Sequence, residues 1–182
     1  MASTLSGKTV AILATDGFEQ IELTEPMKAL KEAGAAVESV SLKAGEIQGF
    51  NHFDKADTFK VDKALSDASV TDYDGLMLPG GAHNPDSLRV DEEARSFVKG
   101  FFDAGKPVAA ICHAPWILID AGVARGRKLT SYKTIRTDLT NAGAEVVDEE
   151  VVVDQGLVTS RDPDDLPAFN AKMIEEFAEG RH

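Results

Sequence analysis

Short, nearly continuous runs of aliphatic residues alternate along this chain with longer segments in which apolar residues recur at helical spacing. Such runs are typical of strands buried on both faces of a parallel sheet, and the intervening spacing is typical of amphipathic helices. Strands joined by helices predict an α/β fold with helices on both faces of the sheet. The predicted strands of this kind are Lys8–Ala14, Ala36–Leu42, Gly75–Pro79 and Val108–Ile111, and the predicted helices run from Glu19 or Glu22 to Ala33, over Asp91–Ala104, Ala114–Ala121 and Ile135–Asn141, and at the end of the chain.

Two segments depart from this alternation. The stretch Gly45–Lys63 contains alternating polar and apolar residues, which predicts a small antiparallel excursion. Gln155-Gly156 lies between two runs of strong strand formers, and such a pair favours a two-residue hairpin.

Pro26 is expected in the first turn of its helix, and Asp164 or Asp165 is expected to cap the last helix.

The length of 182 residues suits a single domain over 1–182, with residues 1–7 expected as a flexible lead-in. The formal charge of −12 repels phosphates and anionic membrane surfaces, so neither nucleic acid nor a membrane is an expected partner. The first residues contain no apolar stretch of signal-peptide length, and no later stretch is apolar enough to span a bilayer. A cytoplasmic location is therefore expected.

Metal and nucleotide sites find little support in the sequence. The single cysteine excludes an intramolecular disulfide and two-cysteine zinc signatures, and His52, His83 and His182 are not spaced as ligand pairs. No phosphate-loop pattern and no G-x-G-x-x-G run follows any predicted strand. We therefore expect neither a metal nor a nucleotide cofactor.

The residues that follow the predicted strands are the candidates for chemistry, because ligands of parallel sheets bind beyond the carboxyl ends of the strands. Cys112 directly follows the strand 108–111, where the chain turns into a helix, and small residues at 110 and 114 leave room for a tight turn. Backbone N–H groups and a helix N-terminus at such a turn favour the thiolate. The alternative is a small buried hydrophobe, the commonest role of a lone cysteine.

Two further strand ends contribute candidate catalytic residues, for which the sequence pattern is less specific. Gly80-Gly81 offers backbone N–H groups that can approach an oxyanion closely, as can the N–H of His113, although Gly-Gly is also common in ordinary turns. Glu22 could stay protonated in an apolar pocket and hydrogen-bond a thiolate, or could merely complement the positive end of a helix, which is the interpretation favoured for Glu19. The His113 ring either assists the thiol or packs on the helix N-terminus.

Seven segments of the chain, taken together, resemble a known family. These segments are 16–26, Leu78–Gly81, Ala110–Pro115, Ala124–Ser131, Asn141–Glu145, Val151–Asp154 and Thr159–Arg161. They resemble the PfpI family of intracellular proteases, general stress proteins and deglycases, and the resemblance covers nearly the whole chain. It implies membership of the class I glutamine-amidotransferase-like superfamily and a flavodoxin-like three-layer sandwich with a mainly parallel sheet and a nucleophile elbow.

The resemblance also implies roles for the candidate residues. Cys112 corresponds to the elbow nucleophile, Glu22 to the carboxyl that hydrogen-bonds its sulfur, and His113 to the histidine of the family's Cys-His pair. In protease-type members an acidic residue of a neighbouring subunit completes a triad with that histidine, and Asp86 is the matching candidate here. A homo-oligomer, at least a dimer and up to a hexamer, is therefore expected, and no cofactor is required.

The activities associated with the family all begin with attack by the cysteine. They are peptide hydrolysis, release of glyoxal and methylglyoxal adducts from amines and thiols, and conversion of these aldehydes to hydroxy acids. A cysteine hydrolase of this type, using Gly80, Gly81 and His113 as oxyanion donors, is the leading hypothesis. The alternative is an oxidative-stress sensor or holdase chaperone whose Cys112 is oxidised to a sulfinate. A flavodoxin-like nucleotide binder is a third and weaker alternative.

Overall fold

A computed structural model of the chain describes residues 4–182, and it has the expected α/β architecture with a large sheet covered by helices. The strands are β1 (Thr9–Leu13), β2 (Phe18–Glu19), β3 (Ala36–Ser41), β4 (Gly45–Asn51), β5 (Asp54–Val61), β6 (Lys63–Ala64), β7 (Gly75–Leu78), β8 (Val108–Ile111), β9 (Lys128–Leu129), β10 (Glu145–Val146), β11 (Val152–Asp154) and β12 (Leu157–Ser160). The helices are α1 (Gln20–Glu32), α2 (His83–Leu88), α3 (Glu92–Asp103), α4 (Trp116–Asp120), α5 (Arg136–Asn141) and α6 (Leu166–Glu179).

The central sheet has seven strands in the order β11-β12-β8-β7-β1-β3-β6. Every neighbouring pair is parallel except the edge pair β11 and β12, which form an antiparallel hairpin. The turn of that hairpin is Gln155-Gly156, with φ of 48° and 82°. Positive φ at both positions is the geometry of a type I′ turn, so the predicted two-residue hairpin is confirmed.

Successive residues of β1 point to opposite faces of the sheet and show how the three layers are built. Val10 and Ile12 belong to the apolar cluster that packs beneath α1 and α6, whereas Ala11 and Leu13 belong to the cluster that packs beneath α3 and α4. All four side chains are fully buried. A strand buried on both faces is what its continuous aliphatic sequence predicts, and the three-layer sandwich is confirmed.

The antiparallel excursion is confirmed as well. Strands β4 and β5 pair antiparallel, and the short β2 pairs with β4 in a separate three-stranded sheet. Because β2 leads directly into α1, the helix begins at Gln20 and Pro26 lies in its interior. The prediction that Pro26 occupies the first turn is wrong. Pairing of β2 with β4 places the start of the helix at Gln20, six residues before Pro26.

Two expectations about the ends of the chain also need correction. Residues 4–7 are not a loose lead-in, because Leu5 is fully buried and its N–H donates to Ala33 O at 2.9 Å; residues 1–3 of the predicted lead-in lie outside the described residues. Neither Asp164 nor Asp165 caps α6 through its side chain, because no side-chain hydrogen bond caps this helix and the Asp165 carboxylate binds the Arg161 guanidinium through two bonds of 2.9 Å. Over the described residues, no helix combines the length and the apolar character needed to cross a membrane.

Candidate active site

Three adjacent strands bring the candidate residues to one edge of the sheet. Strand β7 lies between β1 and β8, so the carboxyl ends of the three parallel strands are neighbours. The loop and helix after β1 supply Glu22, the turn after β7 supplies Gly80-Gly81, and Cys112 follows β8 directly. Residues up to 90 positions apart in sequence thereby meet in one site at the place where open α/β sheets bind ligands.

Cys112 occupies the predicted sharp turn, with a φ of 65° that residues other than glycine rarely adopt. The turn is held on both sides, because the Cys112 N–H donates to Ser160 O at 3.0 Å and its carbonyl accepts from Tyr132 N–H at 2.8 Å. The residue is only 6% exposed. A strained and firmly held backbone that presents a thiol at a strand end is typical of a functional position.

Glu22 lies beneath this turn with its side chain completely buried. Its Oε1 accepts a hydrogen bond from Gly80 N–H at 3.1 Å. Burial, helped by the negative charge of Glu19, raises the pKa of Glu22 from 4.5 to about 8, and the contact with the Cys112 thiol opposes this only in part. The carboxyl is therefore protonated at neutral pH.

The position of the carboxyl proton follows from the surroundings of Oε2. This atom is buried and has no hydrogen-bond partner among the described residues. The Cys112 thiol nevertheless lies within reach of the carboxyl, because the pKa of each group responds to the other. A neutral Glu22 can therefore donate its proton towards the sulfur, and this interaction becomes stronger when the sulfur acquires negative charge.

Both glycines of the turn after β7 are required by close packing. A Cβ atom at Gly80 would lie 2.7 Å from Cys112 Cβ and 2.7 Å from Glu22 Oε1. Gly81 has a φ of 80°, and a Cβ atom there would lie 2.6 Å from the backbone nitrogen of Glu19. No side chain fits at either position, so the backbone of this turn directly contacts the thiol and the carboxyl.

His113 approaches the thiol despite being its chain neighbour, because the backbone turns at Cys112. Its Nδ1 lies 3.1 Å from Cys112 Sγ, and its Nε2 lies 3.3 Å from Thr134 Oγ1. The ring stacks on Tyr132 with centroids 4.5 Å apart. Burial lowers the pKa of His113 below its ordinary value, so the neutral imidazole can accept the thiol proton at Nδ1 while its Nε2–H donates to Thr134.

The thiol itself is more reluctant to ionise than the sequence suggests. Backbone N–H groups of Gly81 and His113 point at the sulfur and lower the pKa of Cys112, as expected for a turn of this kind. Burial raises that pKa more strongly, and repulsion from an ionised Glu22 adds to the rise. The isolated chain therefore holds a neutral thiol at neutral pH, with two backbone donors ready for the charge that develops during attack.

Asp86 is not part of this cluster within one chain. It lies in α2 with an exposed side chain, and across residues 4–182 no carboxylate accepts a hydrogen bond from His113. The hydroxyl of Thr134 occupies the position relative to Nε2 that a triad acid would take. The predicted role of Asp86 refers to a neighbouring subunit and stays a prediction.

Sequence reasoning missed two residues that support the site. Asn84 is fully buried, and its amide donates to Pro79 O at 3.0 Å and Gly80 O at 3.1 Å, which fixes the glycine turn. The Asn-Pro pair at the start of α2 is a signal that could have identified this helix. Thr134 has no local signal, because its contact with His113 depends on the tertiary fold.

Two cavities with Phe53 in their walls open at the site, and a third, of about 550 Å³, lies beside them and is lined by neither Cys112 nor Phe53. One, of about 220 Å³, contains the candidate catalytic groups and is lined by Glu19, Glu22, His52, Phe53, Gly81, Ala82, Cys112, His113, Tyr132 and Pro163. A second, of about 310 Å³, shares five of these residues, namely Glu19, His52, Phe53, Gly81 and Ala82, and adds Gly17, Phe50 and His83. The thiol thus faces a small chamber that continues past Phe53 into a second one.

One group of side chains among the described residues has a spacing that could hold a metal ion. It consists of Glu176, Glu179 and His182, whose ligand atoms lie within 4.8 Å of one another. Glu176 Oε2 already lies 3.2 Å from His182 Nε2, and the other carboxylate is exposed. This arrangement is explained as a pairing at the end of α6, and it shares no residue with the Cys112 site.

Comparison with known proteins identifies close relatives across nearly the full length. The profile of the DJ-1/PfpI family matches residues 8–176. The chain is 48% identical over 167 residues to the putative cysteine protease YraA of Bacillus subtilis, covering 92% of this chain and 96% of the relative. It is 46% identical over 168 residues to protein/nucleic acid deglycase 2 of Escherichia coli, with the same two coverages.

Solved structures agree with this result. Drosophila melanogaster DJ-1beta superposes with a TM-score of 0.84 at 29% identity, covering 98% of this chain and 91% of that one. A two-domain protein from Anabaena variabilis, with a DJ-1/ThiJ/PfpI-like and a ferritin-like domain, gives a TM-score of 0.87 at 34% identity. This match covers 92% of the present chain but only 47% of that longer one.

Proposed function

Because the chain belongs to the DJ-1/PfpI family, we propose that it is a cysteine-dependent hydrolase that removes small dicarbonyl adducts from amines, with peptides as a second substrate class. The observation that best supports this is the contact between Cys112 Sγ and the neutral Nδ1 of His113 at 3.1 Å, with two backbone N–H groups directed at the sulfur. Relatives named as deglycases and as a putative cysteine protease support both substrate classes.

In the proposed first step, Cys112 Sγ bonds to a carbonyl carbon. The π electrons of the carbonyl move to its oxygen, where the N–H groups of Gly81 and His113 stabilise the charge, and the thiol proton passes to His113 Nδ1. With an amide substrate, the carbon–nitrogen bond then breaks and the amine leaves with the Nδ1 proton, which gives a thioester. Water hydrolyses the thioester to an acid and restores the thiol.

With a dicarbonyl adduct, the aminocarbinol first loses its amine by carbon–nitrogen cleavage, and the released aldehyde is captured by Cys112 as a hemithioacetal. A proton then moves from the carbinol carbon to the neighbouring carbonyl carbon, and the carbinol hydroxyl proton moves to the oxygen of that carbonyl, which converts the hemithioacetal to the thioester of a 2-hydroxy acid. Hydrolysis releases this acid. Glu22 and His113 are the two groups in contact with the sulfur that can move the proton.

The size of the chamber favours the small adduct over a long peptide. Its volume of about 220 Å³ is below the range of roughly 300–1,000 Å³ that is typical of pockets for drug-sized ligands. Cys112 is one of the residues that line this space. A three-carbon dicarbonyl fits such a chamber together with the first atoms of the amine, whereas an extended backbone would need the neighbouring cavity as well.

The proposal includes a homo-oligomer in which Asp86 of a neighbouring subunit approaches His113. Exposure of Asp86 and of Thr134, which lies at the Nε2 side of the imidazole, supports it. A carboxylate at Nε2 would stabilise the imidazolium formed when the thiol loses its proton.

The alternative function, an oxidation sensor, is less well supported by the environment of the thiol. Oxidation by peroxide requires the thiolate, whereas burial raises the pKa of Cys112. A relative named general stress protein 18, 46% identical over 172 residues, keeps this function under consideration. Mass spectrometry after mild peroxide treatment tests it, because rapid oxidation in a protein without turnover would favour the sensor.

A direct test compares three substrate types in parallel: a peptide, a methylglyoxal-modified amine and methylglyoxal itself. We expect turnover of the modified amine by the unmodified protein, complete loss in Cys112→Ala, and full activity in Thr58→Ala, an exposed control on β5. Hydroxy acid and free amine should appear in equal amounts. Turnover that persists in Cys112→Ala would refute the proposal, and turnover of the peptide alone would assign the protease alternative.

A further inference from the structure

The side chain of Phe53 is 98% exposed at the tip of the β4–β5 hairpin, the highest value among the exposed large hydrophobic residues. Phe53 nevertheless lines both cavities of the site. Exposed apolar residues are ordinary when they are scattered. An aromatic ring in the wall of a candidate catalytic chamber is different, because a substrate held in the chamber can contact it.

The hairpin tip that presents Phe53 is fixed by specific bonds. His52 has a φ of 58°, and the carboxylate of Glu19 accepts its N–H at 3.1 and 3.3 Å. Further along the hairpin, the amide of Gln20 donates to Asp57 Oδ2 at 2.9 Å and accepts from Asp57 N–H at 2.8 Å. The start of α1 therefore clamps the hairpin at two points, in the same helix that carries Glu22 into the site.

The two cavities share part of their walls. Gly81 and Ala82 form part of both walls, so the N–H donor at the sulfur lies on the boundary between them. The second cavity contains another aromatic ring, Phe50, and the His83 imidazole. A substrate whose reacting carbon is at Cys112 can therefore extend past Ala82 into a space with phenyl groups on its walls.

We propose that this second cavity is a subsite for an apolar side chain adjacent to the modified or scissile nitrogen of the substrate, with Phe53 as its specificity-determining residue. The inference rests on the proposed hydrolase function and names the substrate class for it. The amine portion passes over Ala82, and an aromatic or branched aliphatic neighbour packs against Phe53 and Phe50. A fully exposed ring on a fixed hairpin gains contact area only when such a group arrives, and little ordering entropy is lost.

The test uses two methylglyoxal-modified lysine peptides that differ in one flanking residue, phenylalanine or serine. We expect Phe53→Ala to raise KM about tenfold for the phenylalanine peptide, with kcat nearly unchanged, and to raise KM far less for the serine peptide. Phe53→Leu should restore most of the discrimination. Val90→Ala is the matched control, because Val90 is also exposed, at 73%, and lines neither cavity.

A second measurement tests the subsite without relying on turnover. Binding of the unmodified peptides to Cys112→Ala protein is measured by calorimetry, with and without Phe53→Ala. A preference for the phenylalanine peptide that is lost in Phe53→Ala supports the subsite, whether or not any substrate is turned over. Lack of turnover of every substrate would contradict the proposed hydrolase function but not the subsite. Equal effects on both peptides, or none, would overturn the subsite. Dissociation of an oligomer by Phe53→Ala with unchanged peptide preference would also overturn it, and would assign Phe53 to contact between copies of the chain.

Discussion

Replacement of Glu22 by glutamine should stabilise the protein at neutral pH, and increasingly so as the pH rises. The amide has the size and shape of the protonated carboxyl, so it can accept the Gly80 N–H and donate towards the sulfur as the carboxylic acid does. Glutamine does not ionise. The substitution therefore removes the cost of placing a negative charge in a fully buried position and keeps the contacts of the neutral form.

The magnitude follows from the pKa of Glu22, which folding raises from 4.5 to about 8. Below pH 4.5 the carboxyl is protonated in both folded and unfolded chains, so burial of a charge does not oppose folding and the stability of the folded chain is at its full value. Between the two values the folded chain binds more protons, so stability falls by about 1.4 kcal/mol per pH unit as the pH rises. The loss amounts to about 3 kcal/mol at pH 7 and to about 5 kcal/mol above pH 8.

The assay is urea and thermal unfolding of both proteins from pH 4.5 to pH 8.5 at one protein concentration. The two stabilities should nearly coincide at the lowest pH, and the variant should melt roughly 10 °C higher at pH 7. Glu25→Gln is the control, since this residue is exposed in the same helix, and it should show no comparable divergence. A difference between Glu22→Gln and the unmodified protein that stays constant with pH would refute a buried, protonated Glu22.

Three further predictions concern the groups around the thiol. Thr134→Val removes the oxygen at His113 Nε2 and should lower kcat/KM about tenfold with a shifted pH profile, while Thr134→Ser restores both. Gly80→Ala places a Cβ atom 2.7 Å from three atoms of the site, so it should abolish turnover and lower the unfolding free energy by about 2 kcal/mol or more. Gly122→Ala, whose added Cβ meets nothing within 4 Å at a φ of 75°, should cost only about 1 kcal/mol, measured by the same urea titration. Asp86→Asn should reduce turnover if a neighbouring subunit supplies that carboxylate, and activity that survives both this change and dilution to monomer would show that one chain suffices.

Local patterns were sufficient to predict the parts of the site that lie on regular elements. Strand β8 was predicted at its observed limits, because four consecutive apolar residues before a cysteine and after Lys106-Pro107 leave few alternatives. The Gln155-Gly156 hairpin was predicted for a similar reason, since its conformation is set by the two turn residues themselves. In the observed sheet β8, β7 and β1 are neighbours. Glu22, Gly80 and Cys112, which follow these three strands, therefore lie at a common edge.

Contacts that depend on chain geometry beyond the local turn could not be predicted. Helix α2 has only six residues, too few for a helical period, so the role of Asn84 in holding the glycine turn was missed. The close approach of His113 Nδ1 to its neighbouring sulfur depends on the positive φ of Cys112, which the amino acid types do not specify. The raised pKa of Cys112 was missed because burial competes with the backbone donors, and only the three-dimensional structure gives the balance.

The protonation states of the three central groups explain how a buried thiol can serve as a nucleophile. Cys112 and Glu22 both hold their protons at neutral pH, and His113 is neutral, so these three groups carry no charge and tolerate their burial. In the proposed attack one proton moves the 3.1 Å from sulfur to Nδ1, and the N–H groups of Gly81 and His113, which point at the sulfur, lie close to the carbonyl oxygen on which the negative charge develops. Charge is thus created only when a substrate is present to receive it, which links reactivity of the thiol to occupation of the chamber.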